Sequence, residues 1–172
     1  MTKIVLIGGP SSGKSTLIKM LGEKGFPINP EAAKDLILAR GGISPNNRED
    51  YIKFQLEVVE KQVRNENQFY RGETTFLDRG IYDNLVYCNK YLGFVPTEVE
   101  KLISEHHRYD RVFLLDRLPF VKENFRIEND EAEAKELHER VVSTYENFGY
   151  NLERIPVLPR EERLNYLFGR VK

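Results

Sequence analysis

Short runs of apolar residues alternate along the chain with longer segments in which apolar residues recur every three or four positions. Unbroken runs rich in β-branched residues and leucine at 4–7, 74–77 and 111–115 predict parallel strands that are buried on both faces. Weaker extended segments at 26–30 and 151–158 predict two more strands, and the prolines of the first place it at a sheet edge. Helical spacing predicts helices over about 14–24, 31–40, 48–70, 81–92, 97–106, 130–148 and 160–171. This alternation predicts an α/β fold built on a doubly wound, mainly parallel five-stranded sheet.

The composition indicates one globular domain over 1–172. A chain of 172 residues can bury a substantial core, and no repeat or linker divides it. The 26 basic and 27 acidic residues give a formal net charge of -1, so charge gives no reason to expect a nucleic-acid partner. The only cysteine, Cys88, lies in a partly apolar helical stretch, which predicts packing rather than a nucleophile.

The chain enters its first strand at once and leaves no room for a signal peptide. No apolar run approaches the length of a membrane span. We therefore expect a cytoplasmic protein without a membrane span. The sequence leaves the oligomeric state open.

The first strand runs into a glycine-rich turn and then a helix. The spacing Gly8-x-x-x-x-Gly13-Lys14-Ser15 fits the Walker A pattern. Glycines let successive N–H groups curl around an anion at a helix N-terminus, where the dipole also favours negative charge. The strand before and the helix after argue against an ordinary surface turn. Lys14 is expected to reach the β- and γ-phosphates of ATP, and the Ser15 hydroxyl to bind Mg²⁺. The residues predicted to bind ATP are Gly8, Ser11, Ser12, Gly13, Lys14, Ser15 and Thr16.

An aspartate, Asp78, ends the apolar strand at 74–77. A carboxylate at the end of a strand beside the phosphate-loop strand can orient Mg²⁺ through its water shell. The alternative is that Asp78 caps the helix that follows, and the two roles are compatible. The sequence therefore predicts a Mg²⁺ site formed by Ser15 and Asp78.

Two further features bear on the class of P-loop protein. A GTPase usually reads guanine with an Asn/Thr-Lys-x-Asp element, and the nearest approach, Asn89-Lys90-Tyr91-Leu92, lacks the aspartate. The segment 117–129 has no regular period and carries Arg117 and Arg126 just after a strand. Nucleotide and nucleoside kinases close an arginine-bearing lid over the transferring phosphoryl group at this point in the chain. The alternative is a solvated loop with surface ion pairs.

Several stretches together resemble the P-loop, AAA-like family that includes the ribosylnicotinamide kinase domain of bacterial NAD-biosynthesis regulators. The resemblance covers nearly the whole chain and implies the P-loop fold and nucleotide binding. The family also includes a eukaryotic GTP- and phosphoinositide-binding trafficking protein and predicted ATPases, so the acceptor is only weakly implied. The adenylyltransferase and DNA-binding activities of the bacterial regulators are not implied. The stretches are Gly8 to Thr16, Asn29-Pro30-Glu31-Ala32-Ala33, Phe76-Leu77-Asp78-Arg79-Gly80 and Leu114-Leu115-Asp116-Arg117.

The resemblance to nucleoside kinases also suggests residues for a phosphoryl acceptor. Glu31 occupies the place of the acidic residue that accepts the proton of the substrate hydroxyl, although a glutamate at a helix start is also stabilised by the dipole. Phe54 and Gln55 resemble the aromatic and amide groups that hold a planar base. Periodicity alone favours a core Phe54 and a solvent-facing Gln55. Arg79 is expected either to contact the acceptor or a phosphate, or to pair with an acidic neighbour.

The sequence as a whole predicts a small-molecule phosphotransferase of nucleoside-kinase type that uses Mg²⁺ and ATP. Its partners would be a nucleoside triphosphate and a small-molecule acceptor. The alternative is a binding or switch protein that depends on ATP or GTP and has no acceptor. A kinase should have an acceptor pocket near Glu31, Gln55 and Arg79, whereas a switch could leave that region filled. The predicted catalytic residues are Lys14, Glu31, Asp78, Arg117 and Arg126.

Overall fold

A computed structural model describes residues 2–42, 45–68, 73–122, 128 and 130–171. Within these residues, five strands alternate with seven helices. The strands are β1 (Thr2–Ile7), β2 (Ile28–Asn29), β3 (Thr74–Asp78), β4 (Arg111–Leu115) and β5 (Leu152–Ile155). The helices are α1 (Lys14–Glu23), α2 (Ala32–Ala39), α3 (Arg48–Asn67), α4 (Asp83–Leu92), α5 (Thr97–Ser104), α6 (Glu131–Asn147) and α7 (Arg160–Val171).

All strand pairs described in the sheet are parallel, and the strand order is β2-β3-β1-β4-β5. Strand β1 lies in the middle of the sheet, with β3 and β2 on one side and β4 and β5 on the other. The chain adds strands first on one side of β1 and then on the other, so the strand order reverses at β1. Ligands of open α/β sheets bind in the crevice at the carboxyl ends of strands where this reversal occurs. The glycine-rich turn after β1 and the aspartate that ends β3 both lie at that crevice.

The sheet carries apolar clusters on both faces because β1 alternates its side chains between them. Ile4 and Leu6 pack with residues of α1 and α7, including Leu21 and Leu164. Val5 and Ile7 face the opposite cluster, which includes Val59, Leu137 and Tyr145 from α3 and α6. This arrangement confirms the doubly wound sheet that the sequence predicts.

Cys88 is fully buried in the second of these clusters, which confirms its packing role. Burial raises the pKa of its thiol to about 12, so the nucleophilic thiolate is disfavoured. None of the helices within the described residues has the length and apolar character needed to cross a membrane.

Candidate active site

The glycine-rich turn between β1 and α1 adopts conformations that demand glycine. Gly8 and Gly13 have φ angles of 138° and 85°. A Cβ atom on Gly8 would lie 2.8 Å from the main-chain oxygen of Leu115, so a side chain does not fit there. Ser11 adopts a φ of 56° without being glycine, which is a strained conformation of the kind found at ligand sites.

Lys14 opens α1 and folds its side chain back over this turn. Its Nζ donates hydrogen bonds to the main-chain oxygens of Gly8 and Gly9, each at 2.8 Å, and to Ser12 Oγ at 3.0 Å. The side chain is buried, and desolvation lowers the pKa of Lys14 to about 8 because the charged ammonium loses its water. Because an ammonium group has three donors, incoming phosphate oxygens would replace only some of these three acceptors with charged ones.

Asp78 ends β3 directly beside Leu6 of β1, at the floor of the crevice. Burial and the charge of Glu31 raise the pKa of Asp78 to about 6, while Lys14, Arg79 and a hydrogen bond from Ser15 act in the opposite direction. Its Oδ1 is buried and accepts no hydrogen bond from the described residues. A helix-capping role is wrong, because Tyr82 stands at the N-cap of α4 and Asp83 accepts the Gly80 N–H.

A buried carboxylate oxygen without a hydrogen bond, next to the Ser15 hydroxyl, suits a hard cation such as Mg²⁺. The described residues contain no group of three or more His, Cys, Asp or Glu side chains arranged around one metal position. Mg²⁺ characteristically binds one or two protein ligands and completes its shell with phosphate oxygens and water. The donor set therefore fits a metal that arrives with a nucleotide.

A cleft of about 740 Å³ opens from the phosphate-binding loop and extends between α2, α3 and α4. A cleft of this size accommodates a ligand as large as a nucleoside together with phosphate groups. Lys14 and Asp78 line its loop end. Glu31, Gln55 and Arg79 line the remainder, so the three predicted acceptor residues border one space.

Arg79 pairs with two carboxylates that border the cleft. Its Nε lies 2.8 Å from Glu31 Oε1, and its Nη1 lies 3.4 Å from Asp83 Oδ1. The guanidinium also lies 5.3 Å from the centre of the Tyr87 ring. Arg79 itself has a φ of 71°, an uncommon conformation for a residue other than glycine. Its pairing with acidic neighbours, which the sequence left as one alternative, is present within the cleft.

Glu31 stands at the N-cap position of α2, yet its side chain makes no capping hydrogen bond. It points to Arg79 instead. The dipole of α2 still favours a negative charge at this position. The helix start and the ion pair together therefore place one carboxylate at the edge of the cleft.

Gln55 and Phe54 are both buried, at 3% and 1% exposure, and both line the cleft. The solvent-facing position that periodicity favours for Gln55 is therefore wrong. The side of α3 that bears Gln55 faces the cleft rather than bulk solvent. A polar side chain at this position can contact a ligand. Among the described residues, nothing donates a hydrogen bond to the buried Gln55 Oε1.

The first part of the irregular segment after β4 lies on the phosphate-binding loop. Leu118 N donates to Ser11 O at 3.1 Å, and Val121 N donates to Ser11 Oγ at 3.0 Å. Arg117 does not line the cleft and pairs with Glu131. Arg126 lies outside the described residues, so its predicted role stays a prediction.

The structure also brings to the loop two residues that sequence patterns do not identify. His138 Nδ1 accepts a hydrogen bond from Gly9 N at 3.1 Å. Arg163 is buried and donates to the main-chain oxygens of Ser12 at 2.6 Å, Asp116 at 2.9 Å and Pro156 at 3.0 Å. Neither residue belongs to a motif, and each meets the loop only through the tertiary fold.

Comparison with known proteins identifies a family and a relative. The family model described as an AAA domain matches residues 3–163. The trifunctional NAD biosynthesis/regulator protein NadR of Escherichia coli (strain K12) is 27% identical over 161 residues. That match covers 88% of this chain and 37% of the relative, so the chain spans well under half of the relative's length. These matches confirm the resemblance that the sequence motifs indicate.

Two solved structures share the fold over almost the whole chain. A crystal structure of NadR protein in complex with NR has a TM-score of 0.70 at 20% identity, and covers 99% of this chain and 50% of that one. A structure of deoxyadenosine kinase from M. mycoides has a TM-score of 0.66 at 16% identity, and covers 99% of this chain and 98% of that one. Their likeness shows that this chain shares the fold of NadR and of deoxyadenosine kinase.

Proposed function

This chain belongs to the AAA domain family, and we propose that it is a Mg·ATP-dependent small-molecule phosphotransferase of nucleoside-kinase type. The observation that carries the proposal is the shared cleft. Lys14 and Asp78 border the same 740 Å³ space as Glu31, Gln55 and Arg79. A switch protein needs only the nucleotide half of this arrangement, whereas a kinase also needs an open space for the acceptor.

The nucleotide half consists of the glycine-rich loop, Lys14 and the Ser15–Asp78 pair. The loop would hold the phosphates through its main-chain N–H groups, and Lys14 would contact the outer ones. Ser15 and Asp78 would hold Mg²⁺, which when bound neutralises charge on the β- and γ-phosphates. A smaller cleft of about 120 Å³ beside Thr16, Leu118 and Leu158 offers a place for the nucleotide base.

The acceptor half would position a hydroxyl group for in-line attack on the γ-phosphorus. A new bond forms between the acceptor oxygen and phosphorus as the bond to the β–γ bridging oxygen breaks, and ADP leaves. Glu31 is the carboxylate placed to take the hydroxyl proton, and Arg79 fixes its orientation at 2.8 Å. Arg117 and Arg126 remain the predicted lid arginines, which would supply positive charge to the transferring group.

Near Arg79, the lining of the cleft favours a neutral or cationic acceptor over an anionic one, while Lys34 and Arg160 also border the cleft. Glu31, Asp83 and Glu128 all border it, and Arg79 is already paired with the first two. Glu128 is buried and accepts a hydrogen bond from Tyr87 Oη at 2.9 Å. A nucleoside therefore suits the space around Arg79 better than a nucleoside monophosphate. NadR and deoxyadenosine kinase, the relatives that share the fold, are described with NR and with deoxynucleotide products respectively.

The test is a screen for ADP release with ATP, Mg²⁺ and a panel of nucleosides and their monophosphates. We also propose that the enzyme is cytoplasmic. We expect at least one nucleoside to accelerate ADP release, and Asp78→Asn to abolish that acceleration. ADP release that no hydroxyl compound accelerates would favour the switch alternative.

A further inference from the structure

One peptide group of the phosphate-binding loop, the one that joins Gly8 to Gly9, is held from both sides. Its N–H, on Gly9, donates to His138 Nδ1 at 3.1 Å. Its C=O, on Gly8, accepts from Lys14 Nζ at 2.8 Å. The peptide group is planar and trans, so its N–H and C=O point in opposite directions. Fixing the N–H on α6 therefore also fixes the direction in which the carbonyl meets Lys14.

Helix α6 packs directly on the loop at this point. A Cβ atom on Gly9 would lie 2.7 Å from His138 Cβ and 2.9 Å from the main-chain oxygen of Ala134. Only glycine allows this approach. The close packing sets the distance between the Gly9 amide and the imidazole, so the hydrogen bond follows from the fold of the backbone as well as from the side chain.

The direction of this hydrogen bond defines the state of the imidazole. Nδ1 acts as the acceptor, so the ring is neutral and carries its proton on Nε2. Desolvation, Arg117 and Lys14 lower the pKa of His138, and the positive charge of Arg154 acts in the same direction. Asp116 is the charged group nearby that opposes them. Protonation at Nδ1 would set one N–H against another and remove the acceptor.

We propose that neutral His138 is a positioning residue of the phosphate-binding loop, which orients the Gly8–Gly9 peptide so that its carbonyl holds Lys14 in place for the outer phosphates. Protonation of His138 releases that peptide and weakens triphosphate binding. The inference rests on the proposed function only for the role given to Lys14. The link from His138 to Gly9 is independent of any acceptor.

Two variants separate positioning from bulk packing. His138→Asn places an amide oxygen near the position of Nδ1 and cannot be protonated in this range, so it should keep the bond to Gly9 N–H. His138→Leu keeps apolar volume but has no acceptor. One neutral hydrogen bond contributes about 1 kcal/mol, so its loss should weaken ATP binding about fivefold.

The test records the Gly9 amide resonance by ¹⁵N–¹H NMR and measures ATP binding by calorimetry. Both are measured between about pH 7.5 and pH 5, the range in which a histidine side chain takes up a proton. In the wild type, the Gly9 resonance should shift with pH, with a midpoint below the ordinary histidine pKa. As the pH is lowered from about 7.5 to about 5, the ATP affinity of the wild type should fall about fivefold more than that of His138→Asn. His138→Asn should show no such titration and should bind ATP like the neutral wild type. His138→Leu should bind ATP weakly at both pH values while AMP affinity stays the same.

A pH-independent Gly9 resonance in the wild type, or ATP affinity in His138→Leu equal to that of the wild type, would overturn the inference. Asp78 also titrates in this range, but its effect is common to the wild type and His138→Asn and cancels in their comparison. If His138→Leu does not fold, the comparison of wild type with His138→Asn still decides the matter. Confirmed coupling to Gly9 without phosphorylation of any acceptor would leave this inference standing and refute the proposed function.

Discussion

Arg79 Nε lies 2.8 Å from Glu31 Oε1, and this ion pair joins the end of β3 to the start of α2. Arg79 also reaches Asp83 on α4. Three elements of the fold are thus tied together at the cleft by one guanidinium group. The ion pair keeps the carboxylate of Glu31 at the cleft before any acceptor binds, as a preorganised base requires.

Glu31→Gln should lower turnover on an identified acceptor by about a hundredfold or more, because a positioned base contributes at least that much. ATP affinity should change little. Asp35→Asn is the matched control, since Asp35 is also an acidic residue in the first turn of α2. If the two variants lose turnover equally, Glu31 acts through the helix dipole rather than as a base.

Mg²⁺ binding should depend on pH through Asp78. Its pKa is raised to about 6, so the carboxylate is charged above that pH and becomes neutral as the pH falls through it. Mg²⁺ affinity in the presence of ATP should therefore fall from pH 7 to about pH 5, and Asp78→Asn should bind Mg²⁺ weakly throughout. Titrations of Mg²⁺ at these pH values measure the effect.

Glu31→Gln provides an internal check on this assignment. The charge of Glu31 is one cause of the raised Asp78 pKa, so its removal should move the midpoint of the Mg²⁺ profile to lower pH. An unchanged midpoint would mean that a different group controls metal binding.

Lys14 should take up a proton when ATP binds. Burial lowers its pKa to about 8 in the free protein, and phosphate oxygens would favour the charged ammonium and raise the pKa again. Binding of ATP near pH 8 should therefore absorb protons, which calorimetry in buffers of different ionisation enthalpy detects. In Lys14→Met the uptake should vanish, and ATP affinity should fall more than AMP affinity. Equal losses for ATP and AMP would argue against contact with the outer phosphates.

Much of this site could be predicted because it follows strand ends. Parallel strands bring their carboxyl ends to one edge, so Lys14, Asp78 and Arg79 could be placed together from the order of strands and turns alone. The unbroken apolar runs of β1, β3 and β4 likewise predict that these strands are buried on both faces. Glycine at positions 8 and 13 is required by backbone conformations that the loop motif already implies.

The remaining contacts depend on the packing of distant helices. His138 and Gly9 are 129 positions apart, and Arg163 and Ser12 are 151 positions apart. No local period or motif relates such residues, since the contact depends on the crossing of α6 and α7 over the loop. Gln55 was misplaced for a related reason. Periodicity separates buried from exposed faces but does not distinguish solvent from a ligand cleft.

Gln55 and Gln62 should respond differently to replacement by leucine. Gln62 Nε2 donates to the main-chain oxygen of Arg79 at 3.3 Å, and Gln62 Oε1 accepts from Asn84 at 3.1 Å. Gln62→Leu should therefore lower stability by about 1–3 kcal/mol, because it leaves buried polar groups unpaired. Gln55 Oε1 has no such donor among the described residues, so Gln55→Leu should preserve stability and raise the KM for the acceptor. Thermal unfolding and steady-state kinetics distinguish the two, and a loss of stability in Gln55→Leu alone would contradict the assignment.

The predicted lid can be tested most directly at Arg126, which is expected to supply positive charge to the transferring phosphoryl group. An arginine supplied to the transferring phosphoryl group contributes about a thousandfold or more in rate. Arg126→Ala should therefore reduce turnover strongly while ATP affinity stays within a few-fold of the wild type. Arg160→Ala is a useful comparison, since Arg160 borders both the large cleft and the smaller cleft proposed for the nucleotide base, and should lower ATP affinity as well as turnover. Wild-type transfer by Arg126→Ala would remove the lid arginine from the mechanism.

The most direct measurement is the fate of the γ-phosphoryl group. ATP labelled with ³²P at the γ position is incubated with the protein, Mg²⁺ and each nucleoside of a panel, and the products are separated by chromatography. We predict that label moves to at least one nucleoside with one ADP formed for each labelled product, and that Lys14→Met and Asp78→Asn yield none. Label that appears only as inorganic phosphate with every nucleoside, or remains on ATP, would contradict the assignment as a small-molecule phosphotransferase.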